Sequence, residues 1–137
     1  MNKGRILCIE DDEAIRELFA AVLVREGFEV AVEESGLQAL QWLQKSRLPN
    51  LILLDLMMPV MDGWQVLGEL AREPKLFLIP VVVVSAISEL TPRVFPTNVK
   101  RTLTKPIRLD TLIKTVHETA DELSPSGSQW GLPRNLP

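Results

Sequence analysis

The chain has 137 residues, 46% of them apolar, with 15 Lys+Arg against 18 Asp+Glu and a net charge of −3. That is room for one domain of ordinary size and too apolar a composition for a disordered chain. No run nears the roughly 18 apolar residues of a membrane span, and no basic excess marks a duplex-binding surface.

The first residues, Met1-Asn2-Lys3-Gly4-Arg5, lead only into a short apolar run without the length or cleavage site of a signal peptide. That run predicts a strand over 5–9. It holds the single cysteine, Cys8, which reads as a small buried hydrophobe; one thiol closes no internal disulfide and suits a reducing cytoplasm. Ile15, Leu18, Phe19 and Val22, at i, i+3, i+4 and i+7, predict a helix over 13–26 with Gly27 as its C-terminal cap. A second strand over 28–32 carries Glu29, as an edge strand tolerates. Leu37, Leu40 and Leu43 predict a second helix over 36–45 behind a cap at Ser35.

Leu51-Ile52-Leu53-Leu54 and Val81-Val82-Val83-Val84 are apolar at every position, the pattern of parallel strands covered on both faces, and predict strands over 50–54 and 80–85. Between them Asp62-Gly63 read as turn residues, and Leu67, Leu70 and Ala71 place a third helix over 64–72 that Pro74 ends. Residues 87–96 hold Pro92 and Pro96 and can form at most about one turn of helix after Ser88. The fifth strand, over 99–103, includes Lys100 and Arg101, again as an edge allows. Leu109, Leu112, Ile113, Val116 and Ala120 mark a last helix over 109–123, with His117 on its flank and no sign of a phosphodonor role. Trp42 and Trp64 are expected to pack on the second and third helices. The chain therefore divides into a domain, 1–123, and a Pro/Gly-rich tail, 124–137, expected to be flexible. Trp130 in the tail is either incidental, the preferred reading, or a weak docking element.

Strands alternating with helices predict an α/β fold: a flavodoxin-like, doubly wound five-stranded parallel sheet of order 2-1-3-4-5 with a shortened fourth helix. Ligands of such sheets bind beyond the carboxyl ends of the strands where the order reverses, here between the first and third. Glu10-Asp11-Asp12 follow the first strand, and Asp55, 44 positions after Asp11, follows the third. Favourable placement at a helix N-terminus accounts for Asp12 and Glu13 but not for Asp55. Carboxylates this close repel unless they share a cation, and an oxygen-only set favours Mg²⁺ or Mn²⁺ over zinc. Ser85 and Lys105, at the ends of the fourth and fifth strands, bring a hydroxyl and an ammonium to the same crevice. Both could hold oxygens of a phosphoryl group on Asp55, a carboxylate nucleophile of the acyl-phosphate kind.

In this order, Glu10-Asp11, Asp55-Leu56-Met57-Met58-Pro59-Val60-Met61-Asp62-Gly63, Ser85 and Lys105-Pro106 resemble the receiver domain of bacterial two-component response regulators, over about residues 4–122. The resemblance implies that Asp55 is the phosphoacceptor, charged from the phosphohistidine of a sensor histidine kinase or phosphotransfer protein. It makes Asp11 the principal metal ligand and Glu10 its companion, directly or through water, with the Met57 backbone carbonyl as a further ligand. Asp12 then opens the first helix, and Arg16 takes the place of the family's frequent helix-one arginine. Ser85 would bind the phosphoryl group and Lys105 pair with it, across a cis peptide to Pro106.

Two departures fall on the output side: Thr102 stands where receivers often carry an aromatic switch residue, and the Gly-Ala turn before the fifth strand is missing. Met57 and Ile87, two residues beyond Asp55 and Ser85, are apolar and could not orient an attacking water, so self-dephosphorylation is expected to be slow. The resemblance implies a stand-alone cytoplasmic regulator and not an enzyme. Its output would be contact with a downstream protein or onward phosphotransfer, with no direct DNA binding and no membrane. The alternative is a pseudo-receiver, a binding module that acts without phosphate, which Thr102 and the broken fourth helix favour. A phosphatase of the haloacid-dehalogenase type would need a second Asp where Met57 stands. A flavodoxin would need a hydroxyl- and glycine-rich loop where this chain has acids.

Overall fold

A computed structural model of the chain describes residues 2–86 and 94–122. Five strands, β1 (Arg5–Ile9), β2 (Glu29–Glu33), β3 (Leu51–Asp55), β4 (Val81–Ser85) and β5 (Val99–Thr104), form one sheet of order β2-β1-β3-β4-β5. Every neighbouring pair is parallel, as the alternation with helices requires. In register Ile9 lies opposite Leu54, Asp55 opposite Val84, and Ser85 opposite Thr104. The carboxyl ends of β1, β3, β4 and β5 therefore reach one rim together.

Residues of β3 and β4 are buried throughout and divide their side chains between two cores. Ile52, Leu54, Val81 and Val83 pack with Leu43 of α2 (Gly36–Lys45) and with Leu67 and Leu70 of α3 (Gly63–Leu70). Leu51, Leu53, Val82 and Val84 pack with Phe19 and Leu23 of α1 (Glu13–Arg25) and with Leu112 and Val116 of α5 (Leu109–Glu122). Each such aliphatic side chain contributes about 1.5–3 kcal/mol when fully buried, so the central strands are the best anchored part of the sheet.

The local signals at the helix ends act as expected. The Asp12 carboxylate accepts from the Ile15 N–H at 3.0 Å, and the Ser35 hydroxyl accepts from the Gln38 N–H at 3.1 Å. Gly27, past the end of α1, takes φ +103°, which a side chain would resist. Asp62 does more than turn the chain: it caps α3 by accepting from the Gln65 N–H, while the Gln65 side chain accepts from the Asp62 N–H, both at 2.9 Å. The third helix differs from its predicted span, ending at Leu70, and a further single turn, α4 (Pro74–Phe77), follows it. Pro74 both stops one helix and starts the next, because its fixed φ suits a first helical position that needs no N–H partner.

Residues 87–93, which hold Ile87 and most of the expected shortened helix, lie outside the described residues, as do 123–137 with Trp130. Among the described residues no helix is long and apolar enough to cross a membrane. Beyond the gap, Phe95 stacks on Trp64 of α3 with ring centroids 4.6 Å apart and planes at 4°. Trp42 packs against the same core as Trp64, with the Arg5 guanidinium 5.8 Å from its ring. His117 Nε2 lies 3.1 Å from Glu26 Oε1, tying α5 to the end of α1. On β5, Lys100, Thr102 and Thr104 are exposed, whereas Leu103 is buried and Arg101 pairs with Glu122 of α5. Thr102, in the place where an aromatic switch residue is expected, thus stands on an exposed face of β5.

Candidate functional site

Backbone bonding between strands builds the rim. The Glu10 N–H donates to the Glu33 carbonyl at 3.1 Å, the Leu56 N–H to Val84 at 3.0 Å, and the Lys105 N–H to Ser85 at 2.7 Å. These bonds hold the residues that leave β1, β3 and β5 against their neighbours. Carboxylate oxygens of Glu10, Asp11 and Asp55 consequently lie within 4.8 Å of one another. Arg16 of α1 donates to the Glu10 carbonyl at 2.9 Å and the Asp11 carbonyl at 3.3 Å, steadying the acidic turn from below. The Lys105–Pro106 peptide is cis.

Lys105 Nζ stands 3.4 Å from Asp55 Oδ1 and 3.5 Å from Glu10 Oε1. The Met57 N–H donates to Asp55 Oδ1 at 3.2 Å, and the Asp12 N–H to Glu10 Oε2 at 3.1 Å. Asp55 and Glu10 are only 2% and 1% exposed, whereas Asp11 is open to solvent. Ser85 is fully buried at the adjoining strand end. Burial, then the neighbouring Glu10 carboxylate, pushes the Asp55 carboxyl up to about 8. Burial likewise raises Glu10. Burial works against the Lys105 ammonium, but Asp55 and Glu10 more than offset it, so its pKa rises.

Three buried polar atoms mark what the pocket accepts. Asp55 Oδ2, Glu10 Oε1 and Ser85 Oγ have no hydrogen-bond partner among the described residues. Buried carboxylate oxygens rarely stay unsatisfied. The carboxylates of Glu10, Asp11 and Asp55 form an all-oxygen set that suits a hard divalent ion such as Mg²⁺ and suits zinc poorly. The residues present therefore fit the cation that the sequence pattern calls for. Met57 turns its side chain outwards, 58% exposed, and only its backbone joins the site.

Two contributions escaped sequence reasoning. A Cβ on Gly63 would meet Leu56 Cα at 2.6 Å and the Asp55 carbonyl at 2.8 Å, and the Gly63 N–H donates to the Leu56 carbonyl at 2.8 Å. The Asp-Gly pair was its visible signal, but that signal reads only as a turn. We expect Gly63→Ala to cost about 2 kcal/mol, because both clashing atoms are backbone and cannot swing away. Urea unfolding measures the cost, and weaker Mg²⁺ binding should accompany it as α3 is pushed off the residue after Asp55. Val60 takes φ +69° at a β-branched, fully exposed position, storing of order 1–3 kcal/mol in the loop beyond Asp55. Nothing in the local sequence betrays that strain.

A doubly wound sheet with paired acids, a hydroxyl and an ammonium at its switch point defines a class of proteins built around an acidic cation pocket. Within it, the chain belongs to the response regulator receiver domain family, whose model matches residues 6–117. Response regulator RR06 of Streptococcus pneumoniae is 37% identical over 113 residues, 81% of this chain and 50% of that protein. The DNA-binding dual master transcriptional regulator RpaA of Synechocystis is 33% identical over 114 residues, 82% of this chain and 47% of that protein. The chain thus spans half or less of the length of these two relatives.

Among solved structures, a CheY-like receiver domain protein from Methanospirillum hungatei matches with a TM-score of 0.78 and 26% identity, covering 87% of this chain and 95% of that one. Response regulator TrrA from Thermotoga maritima, solved in complex with Mg²⁺-BeF, matches with a TM-score of 0.73 and 28% identity, covering 86% and 98%. Receiver domains are signalling regulators of two-component systems, and they bind Mg²⁺ at an acidic pocket.

Proposed function

We propose that this chain is a phosphoacceptor of a two-component or phosphorelay system, with Asp55 as the acceptor. The observation that carries the reading is Asp55 Oδ2, a buried carboxylate oxygen with no hydrogen-bond partner among the described residues, in a pocket shared with Glu10 and Asp11 and flanked by Lys105. Attack by an Asp55 oxygen on the phosphorus of a phosphohistidine forms a P–O bond as the P–N bond breaks, and the imidazole leaves with a proton. The Lys105 ammonium and the Ser85 hydroxyl hold oxygens of the transferred group. Glu10, Asp11, Asp55 and the Met57 carbonyl would hold Mg²⁺, or Mn²⁺ in its place; when bound, the ion offsets charge on the phosphoryl group.

The kinase or phosphotransfer protein is the donor, and acyl phosphate formation biases a pre-existing two-state equilibrium read by a downstream protein. The acidic balance of the chain supports a protein target in preference to DNA, and its single thiol, Cys8, suits a cytoplasmic site of action. Residues 1–123 are the signalling unit. The outward Met57 side chain leaves no polar group there to orient a hydrolytic water, so the acyl phosphate should persist for minutes and not seconds.

Incubation of the protein with Mg²⁺ and phosphoramidate, followed by intact-mass measurement, tests the reading. The expected result is gain of a single phosphoryl group by the wild type and none by Asp55→Asn. Absence of any gain with several donors would favour a phosphorylation-independent binding module, a reading to which the exposed Thr102 lends weight.

A further inference from the structure

The segment that leads into β5 carries two opposing contributions. Phe95 is half-buried, and its ring lies flat on that of Trp64, with centroids 4.6 Å apart and planes at 4°. That separation lies within the range of favourable ring pairs. Both rings and Val99 pack against the core beneath α2 and α3. Against this, Asn98 is 3% exposed, and its Oδ1 and Nδ2 both lack a hydrogen-bond partner among the described residues. A buried amide without partners costs free energy that water restores on exposure. The backbone around it is bonded: the Val81 N–H donates to the Asn98 carbonyl at 2.7 Å, and the Val99 N–H to the Pro96 carbonyl at 3.0 Å. A ring contact and two backbone bonds therefore seat the segment, and its own buried side chain opposes them.

The ring contact reaches the acidic pocket through a single residue. Trp64 follows Gly63, whose N–H donates to the Leu56 carbonyl at 2.8 Å. Gly63 also packs so closely on the Asp55 carbonyl and Leu56 Cα that a Cβ has no room. The reciprocal bonds of Asp62 and Gln65 close the same turn of α3. This turn is thus clamped twice, by the backbone that carries Asp55 and by the ring of Phe95.

We propose that Phe95 is a positioning residue for the acidic pocket: while the segment 95–98 is seated, its ring holds Trp64 and, through Gly63, the backbone that carries Asp55. Seating and release are two states of one element. The stack and the two backbone bonds favour the first state, and hydration of the Asn98 amide favours the second. A cation shared by the carboxylates of Glu10, Asp11 and Asp55 binds the seated form better, and by linkage its presence makes release rarer. The link to a cation rests on the pocket of the proposed function; the release of the segment does not.

Amide hydrogen exchange on the full chain reads the release at the Val81 and Val99 N–H groups, whose acceptors belong to the segment. Without metal, both should exchange about tenfold faster or more than Leu53 and Leu54 of β3, which open only with the whole sheet. Asn98→Leu, an apolar group of similar shape, should slow both, and Phe95→Ala should quicken both by about tenfold, the worth of a ring pair. Protected β3 amides in each variant show that the sheet is intact. Saturating Mg²⁺ should slow Val81 and Val99 in the wild type, whereas a release to which the cation is indifferent would keep its rate. By calorimetry Phe95→Ala should bind Mg²⁺ several-fold more weakly than the wild type, and Phe95→Tyr, which keeps the ring, as tightly. Exchange at Val81 and Val99 as slow as in β3 would overturn the release. A Phe95→Ala dissociation constant equal to that of the wild type, or exchange unmoved by Mg²⁺, would overturn the positioning role. A wild type without Mg²⁺ affinity would remove the cation pocket and that role with it, leaving the release to stand on the exchange pattern.

Discussion

Without a divalent cation, the protein will lose stability as the pH rises from about 4, where a free Asp titrates, to about 8, where Asp55 does. Burial and the Glu10 carboxylate make the folded state hold a proton that the unfolded state releases. Over this window the native state binds more protons, so stability is full below the unfolded pKa and falls as the pH climbs through the folded one. A single group shifted this far has a ceiling near 6 kcal/mol; sharing of the proton with Glu10 brings the expected loss to about 2–3 kcal/mol. Urea midpoints at pH 5 and pH 8 in the presence of EDTA measure it.

Addition of Mg²⁺ to 100 times its dissociation constant should return about 2.7 kcal/mol at pH 8 and far less at pH 5, where Asp55 holds a proton. Asp55→Asn should flatten the profile and stabilise the metal-free protein at pH 8. A wild-type profile that is already flat would show that the carboxyl is hydrated and not desolvated.

Replacement of Lys105 by Met is the second large effect. Its ammonium is the one cation within 4 Å of Asp55 and Glu10 among the described residues. Breaking a buried pair costs about 3–5 kcal/mol, but Lys105 keeps a quarter of its side chain in water, which brings the expected cost at pH 8 to about 2 kcal/mol. At pH 5 the cost should be much smaller, because Asp55 is then protonated and has no need of a counter-charge. The same variant should take up little or no phosphoryl group in the intact-mass experiment. An equal cost at both pH values would assign Lys105 a packing role in place of an electrostatic one.

What could be read in the sequence were the features that neighbouring residues decide. Four consecutive aliphatics in β3 and in β4 are legible because burial on both faces leaves no polar position. Asp12, Ser35 and Gly27 are legible because a helix end needs an acceptor at its start and a left-handed residue past its finish. Asp55 and Glu10-Asp11 could be brought together because a parallel sheet returns each strand in the same direction.

Features set by distant parts of the chain were hidden. Glu10 and Asp11 are adjacent in sequence, yet one is buried and the other open, and only the packing of β1 between β2 and β3 separates them. The stack of Phe95 on Trp64, the contact of Gly63 with the Leu56 backbone and the left-handed Val60 likewise depend on partners or on loop closure. Pro74 misled because a residue that ends one helix is equally fit to begin another.

The two halves of the charge cluster are mounted on unequal supports. Asp55 and Glu10 continue from β3 and β1, interior strands bonded on both sides, whereas Lys105 continues from β5, bonded to β4 alone. A marginal strand yields more readily than a central one. A shift of the positive partner is therefore cheaper than a shift of its negative ones, and rearrangement around a newly arrived ligand would be absorbed at the periphery, with the hydrophobic interior left at rest.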